Sequence, residues 1–284
     1  MRKKLMAGPY LLWMLVFTIV PLLFVFYYGF TSSDGTFTFS NITAIFEKIH
    51  IQALGLSLLL AVITTAVCLL FAYPLALILS KSAAKNRSFV IFIFILPMWI
   101  NFLLRTYSWM AILENNGLLN QLFRKIGLIA LYNNIFGTDI SFFRMINTQG
   151  AVVLGMVYNY LPFMILPIYS VIIKLDHSLL EAARDLGANS VTVFRKVVLP
   201  LSLPGVLSGI TMVFVPSVST FAISRMLGGG TELLLGDLIE RQFLGGAYNP
   251  QLGAAISLVM MLIVVVCMLV MNRFGEGEEQ AVML

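Results

Sequence analysis

The chain has 284 residues, 60% of them hydrophobic and only 11% charged, against roughly 25% charged in soluble domains. That is too little charge to cover a water-soluble surface, so composition excludes a soluble globular protein and implies an all-α polytopic membrane protein. The formal net charge of +5 does not mark a nucleic-acid binder, because the basic residues sit in small clusters between apolar runs, where they set topology.

Arg2-Lys3-Lys4 opens the chain, and an uncharged run to Ser33 forms the first predicted span. A secretory signal has an apolar region of about 7 to 15 residues and a small-residue cleavage site; this run has neither and reads as an anchor. A polar loop from Asp34 to Lys48 leads to the second span, His50 to Ser80, which Pro74 is expected to kink. Lys81, Lys85 and Arg87 make the next turn, and the third span runs from Ser88 to Leu113 with Arg105 inside it. The fourth, fifth and sixth cover Ile146 to Ile173, Val197 to Ser224 and Gln251 to Asn272. Each provides the roughly 20 apolar residues that cross a bilayer as a helix.

Six spans put both termini on one side. With the N-terminus inside, the inner segments hold Arg2, Lys3, Lys4, Lys81, Lys85, Arg87, Lys174, Arg184, Arg195, Lys196 and Arg273, eleven of the 18 basic residues. The outer segments hold six: Lys48, Arg124, Lys125, Arg144, Arg225 and Arg241. The excess of Lys and Arg on one side makes that side, with both termini and the stretch 174–205, cytoplasmic.

Two outer segments carry helical periodicity. Leu118, Leu119, Leu122, Phe123 and Ile126 predict a short helix ended by Gly127. After Gly228-Gly229-Gly230, Thr231 is placed to cap a helix bearing Leu234, Leu235, Leu238 and Ile239, with Asp237 and Arg241 spaced to pair.

The one polar island between long apolar runs is Lys174 to Gly205. Ser178 and Glu181 have capping-box spacing, Leu179, Leu180, Ala183 and Leu186 share a helical face, and Gly187 suits a left-handed helix end. Ser190 starts a second short helix. An eight-residue helix is marginal alone, where about 12 to 15 residues are needed, so the element must dock on something.

Several chemistries are excluded by what the chain lacks. No G-x-x-x-x-G-K-[ST] is present to bind ATP phosphates, and no H-E-x-x-H to bind a metal. His50 and His177 sit at loop ends, and no Asp or Glu lies within a predicted span, which argues against an intramembrane enzyme or an ion-coupled carrier. Cys68 and Cys267 both fall inside spans, where packing explains them. A membrane scaffold without a transport role is the remaining reading from another class.

Glu181-Ala182-Ala183-Arg184-Asp185 with Gly187-Ala188 and then Leu199-Pro200 resembles the EAA loop of ABC-importer permeases. The resemblance implies a type I permease of six spans, a single transmembrane domain over residues 1–284, and a coupling element over 174–205 that docks on an ATPase subunit. The segments around Leu96-Pro97-Met98-Trp99 and Leu161-Pro162-Phe163-Met164 are similar to the first permease subunit of spermidine/putrescine importers, with permeases for phosphonate, ferric iron or thiamine as the alternative. Such a subunit has no cofactor or catalytic residue of its own and lies in a prokaryotic cell membrane. Its implied partners are a homologous second permease, two ATPases that use ATP and Mg, an external polyamine-binding protein that the two outer segments would receive, and lipid; no nucleic acid is implied.

A polycation needs weak, repeated contacts along such a path, and cation-π contacts of roughly 0.5 to 2 kcal/mol fit. Trp99, Tyr107, Trp109, Tyr158 and Tyr160 supply rings, and Asn101, Asn159, Ser217, Ser219 and Thr220 neutral acceptors. Each ring has a competing account as an interface or core residue. Arg105 is adverse to a polycation; snorkelling to the outer interface, or stacking on Trp109 one turn away, would accommodate it.

Overall fold

The structure of the protein, a computed structural model, describes residues 8–81, 84–230, 233–246 and 248–282. The described residues form helices joined by loops, with an isolated antiparallel bridge between Thr31 and Phe37. We number them α1 (Pro9–Gly29), α2 (Ser40–Ala44), α3 (Lys48–Lys81), α4 (Ala84–Ile95), α5 (Phe102–Leu113), α6 (Leu118–Lys125), α7 (Leu128–Phe136), α8 (Gln149–Ile172), α9 (His177–Asp185), α10 (Ser190–Val218), α11 (Ala222–Leu227), α12 (Leu235–Leu244) and α13 (Pro250–Val282). Of these α1, α3, α8, α10 and the apolar part of α13, Pro250–Met271, are long and apolar enough to cross a bilayer.

The predicted third span departs from a straight helix. Its first half, Phe89–Trp99, and the stretch Phe102–Lys125 meet at 94°. Pro97 lies in a 3-10 turn, Leu96–Trp99, and Ile100 is extended, so the helical ladder is interrupted. Asn101 restarts it as a cap, its side-chain oxygen accepting Leu103 N–H at 2.8 Å.

The fifth span also differs in its bounds. It begins at Ser190 and passes through a π-helical turn, Phe194–Val198, so the predicted second short helix and the span are continuous. It ends at Val218 and not Ser224, with Ser219–Phe221 non-helical before α11 begins at Ala222. Hydroxyls satisfy carbonyls there: Ser217 donates to Val213 O at 2.7 Å and Ser219 to Val215 O at 3.3 Å. Pro74, by contrast, sits inside a helix that continues to Lys81.

The chain divides into two compact units, Met1–Leu56 with Leu233–Val266 and Ser57–Glu232 with Cys267–Leu284. In the first, Ile45, Leu235, Ala255 and Ile256 form a buried core under Leu54 and Ile239. Asp237, buried, turns its carboxylate back to Leu234 N–H at 3.0 Å and so starts α12. The predicted Thr231 cap lies outside the described residues.

In the second unit α8 packs along α10 around Cys68, Met164, Ile165, Ile168 and Val213. A Cβ built on Gly205 would lie 2.9 Å from Pro167 O, so only glycine permits this backbone approach. Cys68 is fully buried in this core, as the packing account requires.

Candidate functional site

The polar island forms the predicted helix, with a different start. Asp176 is the N-cap, its carboxylate accepting Ser178 N–H at 2.9 Å, so Ser178 lies inside the first turn and the Ser178–Glu181 box is not formed. Asp176 is extended at φ −67°, ψ 124°, which leaves its side chain free to reach forward. Gly187, at φ +82°, closes the other end. Gly187 N–H donates to Arg184 O at 2.8 Å and Ala188 N–H to Ala183 O at 3.0 Å, the paired bonds of a Schellman cap. Asn189 then caps α10, accepting Thr192 N–H at 2.9 Å.

Both ends of α9 are thus closed by hydrogen bonds, and it packs against the start of α10. Ala183 and Leu180 are half-buried, whereas Glu181, Ala182, Arg184 and Asp185 are exposed and Leu186 is 89% exposed. Ala188 is half-buried, and Leu199-Pro200 lie exposed on the first straight turns of α10. An exposed leucine beside alternating charges has the composition of a docking face, with an apolar anchor and a polar rim.

The residues expected along a path separate into two groups. Trp99, 83% exposed, stands at the 94° corner, Asn101 is committed to its cap, and Tyr107 is exposed. Trp109 and Tyr158 instead meet edge to face, with ring centroids 5.3 Å apart. Asn159 is 2% exposed; its amide donates to Gly155 O at 2.8 Å while its Oδ1 has no hydrogen-bond partner among the described residues. Tyr160 reaches from α8 to Pro216 O and the side chain of Thr220. Together with Ser217, Ser219 and buried Thr220 it lines the break between α10 and α11.

Arg105 is half-buried, and its Nε and Nη1 have no hydrogen-bond partner among the described residues.

The first unit also holds a cavity of about 600 Å³, not foreseen from local pattern, bounded by Tyr28, Ser32, Asn41, Tyr248 and Gln251. Its lining is polar but uncharged, and no periodicity connects residues 28–41 with 248–251. Among the described residues no cluster of His, Cys, Asp or Glu is arranged to hold a metal ion.

Residues 73–277 match the family described as binding-protein-dependent transport system inner membrane component. The chain is 36% identical over 280 residues to the spermidine/putrescine transport system permease protein PotB of Haemophilus influenzae, covering 96% of this chain and 94% of that protein. Its identity to the protein of the same name from Escherichia coli K12 is 36% over 267 residues, 92% of this chain and 93% of that one. In shape it is similar to a chain in the crystal structure of a bacterial ABC transporter involved in the import of the acidic polysaccharide alginate, with a TM-score of 0.76, 19% identity, and 96% and 94% of the two chains covered. The fold is therefore that of a type I importer permease with multiple passes through a bacterial inner membrane. On this evidence the chain belongs to the binding-protein-dependent transport system inner membrane components.

Proposed function

We propose that this chain is one permease subunit of an ATP-driven importer of polyamines of the spermidine and putrescine kind. The observation that carries the reading is the 36% identity, over nearly the whole of both chains, to permeases named for those substrates. Both termini and residues 174–205 are cytoplasmic in this reading, because the basic excess lies there. The exposed face of α9 then seats Glu181, Arg184, Asp185 and Leu186 in a cleft of an ATPase subunit, and its two caps transmit that subunit's motion to α10 without fraying.

A homologous second permease completes the path, two ATPase copies use ATP and Mg, and an external binding protein delivers the polyamine. This chain contributes no catalytic group. Trp109, Tyr158, Tyr160, Asn159, Ser217, Ser219 and Thr220 form the inner part of the path, with Trp99, Asn101 and Tyr107 at its outer corner. With no carboxylate in α1, α3, α8 or the Ser190–Val218 rod, the path guides a polycation by rings and carbonyls without trapping it, and selectivity rests with the external protein.

The test is ATP hydrolysis by the reconstituted complex with its binding protein loaded in turn with spermidine, putrescine, a phosphonate and ferric iron. Stimulation by either polyamine is expected. Stimulation only by the phosphonate or iron overturns the substrate and leaves the importer reading standing.

A further inference from the structure

α6 is inverted relative to a helix folded for water. Asn120 is fully buried, its amide donating to Glu114 O and Phe143 O and its oxygen accepting Phe143 N–H at 2.9 Å. Leu118, Leu122 and Ile126, four residues apart and hence on one stripe, face outward, with Leu118 68% and Ile126 61% exposed. A surface helix in water buries such a stripe and exposes its asparagine.

The remaining outward residues are Gln121, Arg124 and Lys125. Arg124 is braced by Ser141 O at 2.9 Å and Asn116 Oδ1 at 3.3 Å. From Phe102 to Ile126 the cations are Arg105, Arg124 and Lys125 and the one acid is Glu114, a balance of 3 − 1 = +2. An apolar stripe flanked by basic side chains is the composition of a helix lying in a bilayer interface.

Direction agrees with composition. Phe102–Lys125 runs at 94° to Phe89–Trp99, so where α4 follows the membrane normal, α5 and α6 run in its plane.

We propose that α6 is an in-plane membrane anchor, with Leu118, Leu122 and Ile126 at the boundary of headgroups and acyl chains and Arg124 and Lys125 against the phosphates of anionic lipid. This surface then belongs to lipid and not to the external binding protein. The inference rests on the membrane-spanning reading and is independent of which substrate is carried.

Spin labels on Leu122→Cys and Gln121→Cys, in a Cys68→Ala, Cys267→Ala background of the reconstituted complex, provide the test. The ratio of oxygen to water-soluble nickel accessibility should be several-fold higher at position 122 than at 121. Equal wetting of the two sites overturns the anchor. Shielding of position 122 from both reagents also overturns it and assigns the stripe to another protein subunit. In phosphatidylcholine vesicles, adding phosphatidylglycerol should deepen the 122 label, and Lys125→Glu should abolish that response while co-purification of the ATPase subunits reports an assembled complex. No response to phosphatidylglycerol overturns the recognition of anionic lipid.

Discussion

Trp109 on α5 and Tyr158 on α8 meet edge to face, with ring centroids 5.3 Å apart and ring planes at 71°. Such a pair contributes about 0.5 to 1.5 kcal/mol beyond its buried area, and its ring faces are a place for an ammonium group. Tyr158→Ala should lower the polyamine transport rate several-fold, while affinity of the external protein for spermidine stays unchanged, because the ring acts only after release. Tyr158→Leu restores bulk without the quadrupole. Full uptake by the leucine variant would assign the pair to packing alone.

Reversing the charge on the exposed face of α9 should separate ATP hydrolysis from transport. Glu181 is exposed and takes no part in either cap, so Glu181→Lys leaves α9 folded. The expected outcome is normal expression with loss of uptake and of the ATPase response to the loaded binding protein. Normal uptake would remove α9 from the coupling role.

The caps of α9 give a second, mechanical prediction. Gly187→Val places a β-branched residue at φ +82°, at a cost of about 1 to 2 kcal/mol, and Asp176→Ala removes a cap worth about 0.5 to 2 kcal/mol. Either should loosen the element and increase hydrogen exchange in residues 177–188 while leaving α8 protected. Uptake should fall in proportion to the loosening.

Gly205→Val tests the core between α8 and α10. The new Cβ would meet Pro167 O at 2.9 Å and the Ile168 backbone at 3.1 Å, and a backbone cannot swing aside as a side chain does. Destabilisation of about 1 to 3 kcal/mol is expected, seen as a lower melting temperature of the detergent-solubilised protein.

Topology is checked by single cysteines at Asn189→Cys and Asn116→Cys in a background without Cys68 and Cys267. An impermeant thiol reagent applied to intact cells should label position 116 and leave 189 unlabelled until the membrane is opened. Labelling of 189 from outside inverts the assignment of α9.

Hydropathy, basic clusters and turn residues are local properties, so the sequence determined the membrane class, the approximate spans, the left-handed Gly187 and the helix ended by Gly127. The EAA spacing likewise lies within one short stretch. Tertiary structure decided whatever depends on competition between neighbours. Asp176 took the cap that Ser178–Glu181 was spaced for, since a helix start can be closed by any acceptor that reaches its free amides. Leu96-Pro97 became a 94° corner while Pro74 stayed within a continuous helix, because a proline bends a chain only as far as the surrounding bonds allow. Trp99 and Trp109 read alike as aromatic residues in a span, yet one is exposed at the 94° corner and the other, beyond it, meets Tyr158. Asn120 is the clearest case: nothing local marks a buried asparagine, and only the return of the chain at Phe143 supplies the N–H and carbonyl that hold it while its leucine neighbours turn outward.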